Sequence, residues 1–256
     1  MISKDVTLLT TKLFPGERID QLLSQNIQII QSSEVFSFSL DAVLLAYFAS
    51  IPKRGTIVDF CAGNGAIGLF MRPRTHATIT GVELQEKLYD MAKRSIELNQ
   101  FNDSMTMIHA DIKNIAQFIK PDSVDFITCN PPYFKEAPNS KKNPNPYLAI
   151  ARHEIHLGID DVFQQASKLL KMNGKIAMVH RPDRLIDILH SMEKNRIAPK
   201  RIQFVYPKTN KEANTLLIEG IKDGKTDGLR ILPPLYVYGE DNEYLPEIKG
   251  MLHGTS

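Results

Sequence analysis

The sequence predicts an α/β fold: a mostly parallel seven-stranded sheet with helices on both faces and an antiparallel strand pair at its C-terminal end. Three observations predict it. From Thr56 onward short apolar runs alternate with segments of helical periodicity, the order that parallel strands and crossover helices require. A glycine-rich turn, Gly63 to Gly68, directly follows the first of those runs. Near the end, two apolar runs are joined by a six-residue loop (208–213), too short for a crossover helix.

In chain order, "TIVDFCA" (56–62) reads as a buried strand between Gly55 and the glycine-rich turn. "ATITGVEL" (77–84) is a second strand. "QEKLYDMAKRSIELNQF" (85–101) is a helix, with Leu88, Met91, Ala92, Ile96 and Leu98 close to helical spacing. "MTMIHAD" (105–111) and "VDFITCN" (124–130) are the third and fourth strands. "DDVFQQASKLLKMNG" (160–174) predicts a helix closed by Gly174. "KIAMVHR" (175–181) is the fifth strand, and "PDRLIDILHSMEKN" a helix with Pro182 at its start. "RIQFVYP" (201–207) and "NTLLIEGIK" (214–222) form the antiparallel pair, expected at the sheet's edge. Residues 1–50 are expected to be an N-terminal extension packed on a domain of residues 51–256. The Pro-, Asn- and Lys-rich segment 135–149 reads as a long loop, and the Pro- and Tyr-rich tail is expected to pack back on the domain.

Composition narrows the class. The 256 residues are 43% hydrophobic and 23% charged, ordinary for a globular chain that buries a core without staples. A net charge of +2 does not announce a nucleic-acid binder, so any basic footprint must be local. Cys61 and Cys129 each lie in an apolar run with no CxxC pairing, which points to buried thiols in a reducing compartment. "HEIH" (153–156) lacks the i, i+4 histidine spacing of a metalloprotease helix, and no metal is expected. No apolar run approaches the roughly 20 residues of a membrane span, and the first twenty residues hold no signal-peptide core. A cytoplasmic protein without a membrane partner is expected, as a monomer or weak dimer.

"VDFCAGNGAIG" places Asp59 at the end of the first strand, followed by Gly63, Gly65 and Gly68, and Glu83 closes the next strand. Read as G-x-G-x-x-G with a distal acid, this is a dinucleotide fingerprint. Read as D-x-G-x-G-x-G with Cys61 at the first glycine position, it is an S-adenosylmethionine loop. Glycines let the backbone approach a ligand and a carboxylate takes two ribose hydroxyls in either case, so the loop alone leaves both open. Asp111, ending the third strand, is placed to accept from an adenine amine, or to cap the next helix.

"NPPY" (130–133) leaves the fourth strand, beside the first, where open α/β sheets bind ligands. Pro131 and Pro132 carry no N–H, and Pro132 biases Pro131 away from helix. The side-chain oxygen of Asn130 and the carbonyl of Pro131 thus make two acceptors for one planar amino group. Holding both hydrogens biases the delocalised lone pair toward a methyl donor and stabilises the positive charge of transfer. Tyr133 offers a stacking face for a flat substrate.

These residues resemble the amino-methyltransferases that carry the (N/D)PP(Y/F) motif. The likeness is closer to the bacterial tRNA1(Val) adenine N6-methyltransferase family, through "FSFSLDAVLLA" (36–46), "VDFCAGNGAIGL" (58–69), "ARHEI" (151–155) and "VYPKTNKEANTLLIEG" (205–220). The resemblance implies a Rossmann-like class I methyltransferase fold, S-adenosylmethionine as cofactor, a tRNA substrate and an N6-methyladenine product just 3′ of the anticodon. By the same resemblance, Phe36, Ser39 and Asp41 lie at the methionyl end of the cofactor. Asp59, Gly63 and Gly65 form its loop, Glu83 holds its ribose and Asp111 its adenine, with Asn130 also in contact. Asn130, Pro131, Pro132 and Tyr133 handle the target amine. Cys61 departs from the family's glycine; ordinary backbone angles are expected there, with a slightly displaced loop.

Basic residues cluster around the motif and the final hairpin: Lys135, Lys141, Lys142, Lys200, Arg201, Lys208 and Lys211 are candidate RNA contacts. Segment 135–149 is a candidate lid. Three rival readings use the same motif: methylation of a glutamine amide in release factors, methylation of guanine N2 in ribosomal RNA, and a non-catalytic RNA-binding module.

Overall fold

The computed structural model describes residues 11–22, 24, 26–35, 39–133 and 157–253. The chain opens with an antiparallel hairpin, β1 (Glu17–Leu22) and β2 (Ile27–Ser32), followed by helix α1 (Leu40–Phe48). The alternating region then runs β3 (Thr56–Phe60), α2 (Ala66–Met71), β4 (Thr78–Glu83), α3 (Glu86–Leu98), β5 (Met105–His109) and β6 (Val124–Cys129). After residue 157 come α4 (Ile159–Leu169), β7 (Leu170–His180), α5 (Leu185–Lys194), β8 (Ile197–Tyr206) and β9 (Thr215–Lys222). Two-residue strands β10 (Arg230–Ile231) and β11 (Leu235–Tyr236) and helix α6 (Pro246–His253) complete the chain.

Seven long strands lie in the order β5-β4-β3-β6-β7-β9-β8. Strands β3 to β7 are mutually parallel, and β9 runs antiparallel to both β7 and β8. The order reverses between β3 and β6, the switch point at which such sheets open a ligand crevice. The predicted hairpin is therefore present, but the edge is covered. Strands β10 and β11 pair in parallel with β8, and the tail buries Leu235, Val237 and Ile248.

Alternation along the strands feeds two cores. Ile57, Phe126, Ala177 and Leu217 face one with α1 and α2, while Val58, Ile127, Met178 and Ile218 face the other with α4 and α5. The N-terminal hairpin joins the first core through Ile27 and Ile29. Its Ile30 N–H donates to Ser95 Oγ at 3.0 Å, and Asn64 Nδ2 donates to the Ile30 carbonyl at 3.0 Å, tying the hairpin to α3 and to the glycine-rich turn.

The helix predicted over 160–174 ends at Leu169. Leu170 already pairs with Val124, and the register shifts before Lys175 meets Phe126, so residues 171–174 form a bulge in which Asn173 has φ 63°. Gly174 closes that bulge rather than the helix: a Cβ there would lie 2.9 Å from the Lys171 carbonyl and 3.1 Å from that of Val124.

Candidate active site

Asp59 is the penultimate residue of β3 and only 1% exposed. Its Oδ1 accepts the Thr128 hydroxyl at 2.6 Å, whereas Oδ2 has no hydrogen-bond partner among the described residues. Burial, with the neighbouring Glu83 charge adding to it, pushes the carboxyl up to about 7. Glu83, at the end of β4, accepts the Gly63 N–H on Oε2 and the Gln85 N–H on Oε1, both at 2.8 Å. Burial raises its pKa despite those donors.

The turn between these carboxylates needs left-handed backbone at three positions, Cys61 (φ 55°), Gly63 (φ 56°) and Gly65 (φ 84°). Among the described residues nothing lies within 4 Å of a Cβ built on Gly63, so they leave the turn open to a ligand there. Cys61 corrects the sequence expectation. It takes the conformation a glycine would take, so the loop keeps its shape and Cys61 carries the strain, about 1–2 kcal/mol for a side chain in this region. Cys61→Gly is expected to stabilise the protein by about 1 kcal/mol net, or about 2–4 °C in thermal midpoint. A melting curve that does not move would remove the strain argument. Both thiols are free, with Cys61 half-buried and Cys129 buried beside it.

Asn130 to Tyr133 leave β6 without regular structure, as two prolines dictate. The Tyr133 hydroxyl lies 2.6 Å from Asn130 Oδ1 and 3.0 Å from Asp41 Oδ2. With one hydrogen it donates to one of them at a time. Thr215 donates to Asp41 Oδ1 at 3.3 Å, which anchors α1 to the start of β9. Burial, and Asp41 next to it, push the Tyr133 phenol well above its usual range. Thr128, Thr215 and His180 were missed in the sequence. His180 and Thr128 carried a legible signal, their positions at the carboxyl ends of parallel strands.

The structure thus brings Asp41, Asp59, Gly63, Gly65, Glu83, Asn130, Pro131, Pro132 and Tyr133 to one end of the sheet. Ser39 sits at the entry of α1 and its side chain makes no cap. Asp111 Oδ1 accepts the Lys113 N–H at 2.9 Å, so it caps the following 3-10 turn. Phe36, Lys135, Lys141, Lys142, the candidate lid and "ARHEI" lie outside the described residues.

Two of the proposed RNA contacts are corrected. Arg201 aligns with Glu219, which aligns with Ala177, three residues before the end of β7 and so about 10 Å below the site. Its guanidinium lies 3.4 Å from the buried Glu219 and stacks on Phe48 at 4.5 Å, a structural engagement. Lys200 donates to the Lys225 and Asp227 carbonyls in the turn after β9, at the opposite end of the sheet. Lys208 and Lys211, between β8 and β9, remain at the site's end.

The donor set suits a nucleoside with a cationic tail: an unpartnered buried carboxylate oxygen, an open glycine turn, and a second carboxylate whose remaining lone pairs can take hydroxyls. No group of three His, Cys, Asp or Glu able to hold a metal occurs among the described residues. No helix among them is long and apolar enough to cross a membrane.

Strand order, switch-point crevice and this turn together define a methyltransferase of the Rossmann-like class. More particularly, the chain belongs to the methyltransferase small domain family, whose model matches residues 26–195. A tRNA1(Val) (adenine(37)-N6)-methyltransferase of Shewanella sp. (strain MR-4) is 26% identical over 211 residues, covering 82% of this chain and 87% of that one. One from Porphyromonas gingivalis (strain W83) is 28% identical over 202 residues, covering 76% and 78%. Among solved structures, a predicted O-methyltransferase from Agrobacterium tumefaciens superposes with TM-score 0.67 at 20% identity, covering 84% of this chain and 96% of that one. Its likeness is one of fold.

Proposed function

We propose that this protein transfers a methyl group from S-adenosylmethionine to the N6 amine of an adenine in tRNA, the adenine at position 37 of a valine tRNA. The observation that carries the reading is Asn130 Oδ1, which accepts a hydroxyl at 2.6 Å where β6 opens into the crevice beside the glycine turn. A target amine takes the place of that hydroxyl. The relatives named above, which span most of the chain, supply the substrate class.

When bound, S-adenosylmethionine would supply an electrophilic methyl on its sulfonium, whose sulfur keeps the electron pair of the broken methyl–sulfur bond and leaves as the neutral thioether of S-adenosylhomocysteine. Glu83 would hold the ribose hydroxyls, Asp59 Oδ2 would take up the cationic methionyl end together with Ser39, Asp41 and Phe36, and Asp111 would accept from the adenine amine. Asn130 Oδ1 and the Pro131 carbonyl take one hydrogen each from the target amine. This draws its lone pair out of conjugation and stabilises the charge that appears on nitrogen as the new C–N bond forms. The N6 proton becomes acidic at that point and leaves to solvent, so the reaction needs no strong base. Tyr133 turns from Asn130 to stack on the base. Lys208 and Lys211, with Lys135, Lys141 and Lys142, contact phosphates around the mouth. The chain acts as a monomer or weak dimer, without a metal.

The test is transfer of a tritiated methyl group to total tRNA, ribosomal RNA and release factor, followed by nucleoside analysis. N6-methyladenine in tRNA is the expected product. Label confined to guanine or to protein would replace this reading with one of its rivals.

A further inference from the structure

His180 is a buried polar group that the reaction above does not use. It closes β7 on the face of Ile176 and Met178 and is fully buried. Its Nδ1 accepts the Arg181 N–H at 2.8 Å, which requires a lone pair on Nδ1 and places the ring hydrogen on Nε2. Burial, with Arg184 next, pushes the imidazole down to about 4, so this neutral form persists at neutral pH. Nε2 has no hydrogen-bond partner among the described residues. A buried donor without an acceptor calls for an explanation, since nearly all such groups are paired.

Its surroundings supply one. Cys129, the last residue of β6, aligns with Met178 of β7, two residues before His180, so the Asn-Pro-Pro-Tyr exit starts beside the end of β7. The Tyr133 ring lies against the imidazole, centroids 5.2 Å apart at 51°. The hydroxyl of the same tyrosine is 2.6 Å from Asn130 Oδ1. Tyr133 therefore spans two groups, its ring over His180 and its hydroxyl on the acceptor meant for the target amine. A ligand that displaces the hydroxyl from Asn130 and turns the ring outward also uncovers Nε2–H.

We propose that His180 is a specificity-determining residue whose Nε2–H donates to the ring nitrogen flanking the target amine. This rests on the reading of the site as one for adenine N6. That amine has an acceptor nitrogen on each flank, N1 on the pairing edge and N7 on the major-groove edge. With the amine's two hydrogens held by Asn130 and Pro131, a donor on the next strand end meets one of these nitrogens. A base with C–H or N–H there leaves Nε2–H buried and unpaired, and is rejected for that reason.

Valine tRNAs assembled with adenine, 1-deazaadenine or 7-deazaadenine at position 37 test this with the wild-type protein and with His180→Phe. One deaza analogue is expected to lower wild-type kcat/KM by about 5- to 150-fold, the range for one buried donor left unpaired. Which analogue does so identifies the edge that is read. His180→Phe should lose a similar factor on natural tRNA and lose no further on that analogue, the non-additivity that marks a direct contact. His180→Gln, whose amide can donate, should recover part of the discrimination. Equal wild-type rates on all three tRNAs would overturn the proposal without recourse to any variant. So would deaza and His180→Phe losses that multiply. Absence of N6-methyladenine from the unmodified tRNA with wild type would instead defeat the proposed function itself.

Discussion

Asn130→Ala is expected to lower methyl transfer by about 10²–10³-fold, the usual effect of removing one preorganised hydrogen-bonding group from a site of developing charge. The expectation follows from geometry. Asn130 Oδ1 is a positioned acceptor at the end of β6, and the Pro131 carbonyl alone cannot hold both hydrogens of an amine. Cofactor affinity should change little, because Asp59, Glu83 and the glycine turn belong to β3 and β4. The fold should survive as well, since the Tyr133 hydroxyl keeps Asp41 at 3.0 Å. Asn130→Asp retains an acceptor and should be less impaired than the alanine variant. Single-turnover methyl transfer together with calorimetric titration of S-adenosylmethionine would check both halves. A large loss of cofactor binding in the alanine variant, or near-normal turnover, would contradict the role given to Asn130.

Asp59→Asn is expected to make the protein more stable and less able to bind its cofactor. The carboxyl has an ordinary value of 3.8 and is raised to about 7 in the fold, so between these values the folded state holds a proton that the unfolded chain has lost. Stability therefore falls as pH rises through that window, by about 4 kcal/mol once pH exceeds 7. Asparagine carries no such penalty and keeps the Thr128 hydrogen bond through its own Oδ1. His180 acts with the opposite sign. Its value falls from 6.5 to about 4, so between these the unfolded chain holds the extra proton and stability rises with pH, by about 3 kcal/mol in all. In wild type the two slopes oppose each other between about pH 4 and 6.5. In Asp59→Asn the fall due to Asp59 is removed, so stability should rise more with pH than in wild type, and urea unfolding at pH 4.5, 6 and 8 would show it. At pH 8 the variant should exceed wild type by about 2–4 kcal/mol, while its cofactor affinity should fall by tenfold or more. A variant no more stable than wild type at pH 8 would mean that Asp59 is ionised at little cost in the folded protein.

Much of this was legible in the sequence because it depends on local rules. Strand-and-helix alternation gave the parallel sheet, and the short 208–213 loop gave the antiparallel pair. Two prolines after Asn130 could end a strand in only one way. The misreadings arose where a long-range contact overrode the local signal. Gly174 looked like a helix cap, yet its neighbours are the Val124 and Lys171 carbonyls in a bulge that brings β7 onto β6. Cys61 as a residue type favours ordinary backbone angles, whereas the loop imposes φ 55°. Lys200 and Arg201 are close to Lys208 in sequence, but six residues of extended strand carry Tyr206 about 20 Å away from Lys200.

By itself, then, the sequence determined the class of fold, the glycine turn and the paired acceptors, since periodicity, glycine and proline act on the backbone within a few residues. Only the tertiary structure decided that Asp59 keeps an oxygen unpaired among the described residues, that Tyr133 rests on Asn130 and Asp41, and that His180 lies against its ring with Nε2 unclaimed by any of those residues. Those three facts depend on burial and on partners up to 92 residues apart in the chain, and neither can be read from neighbouring residues.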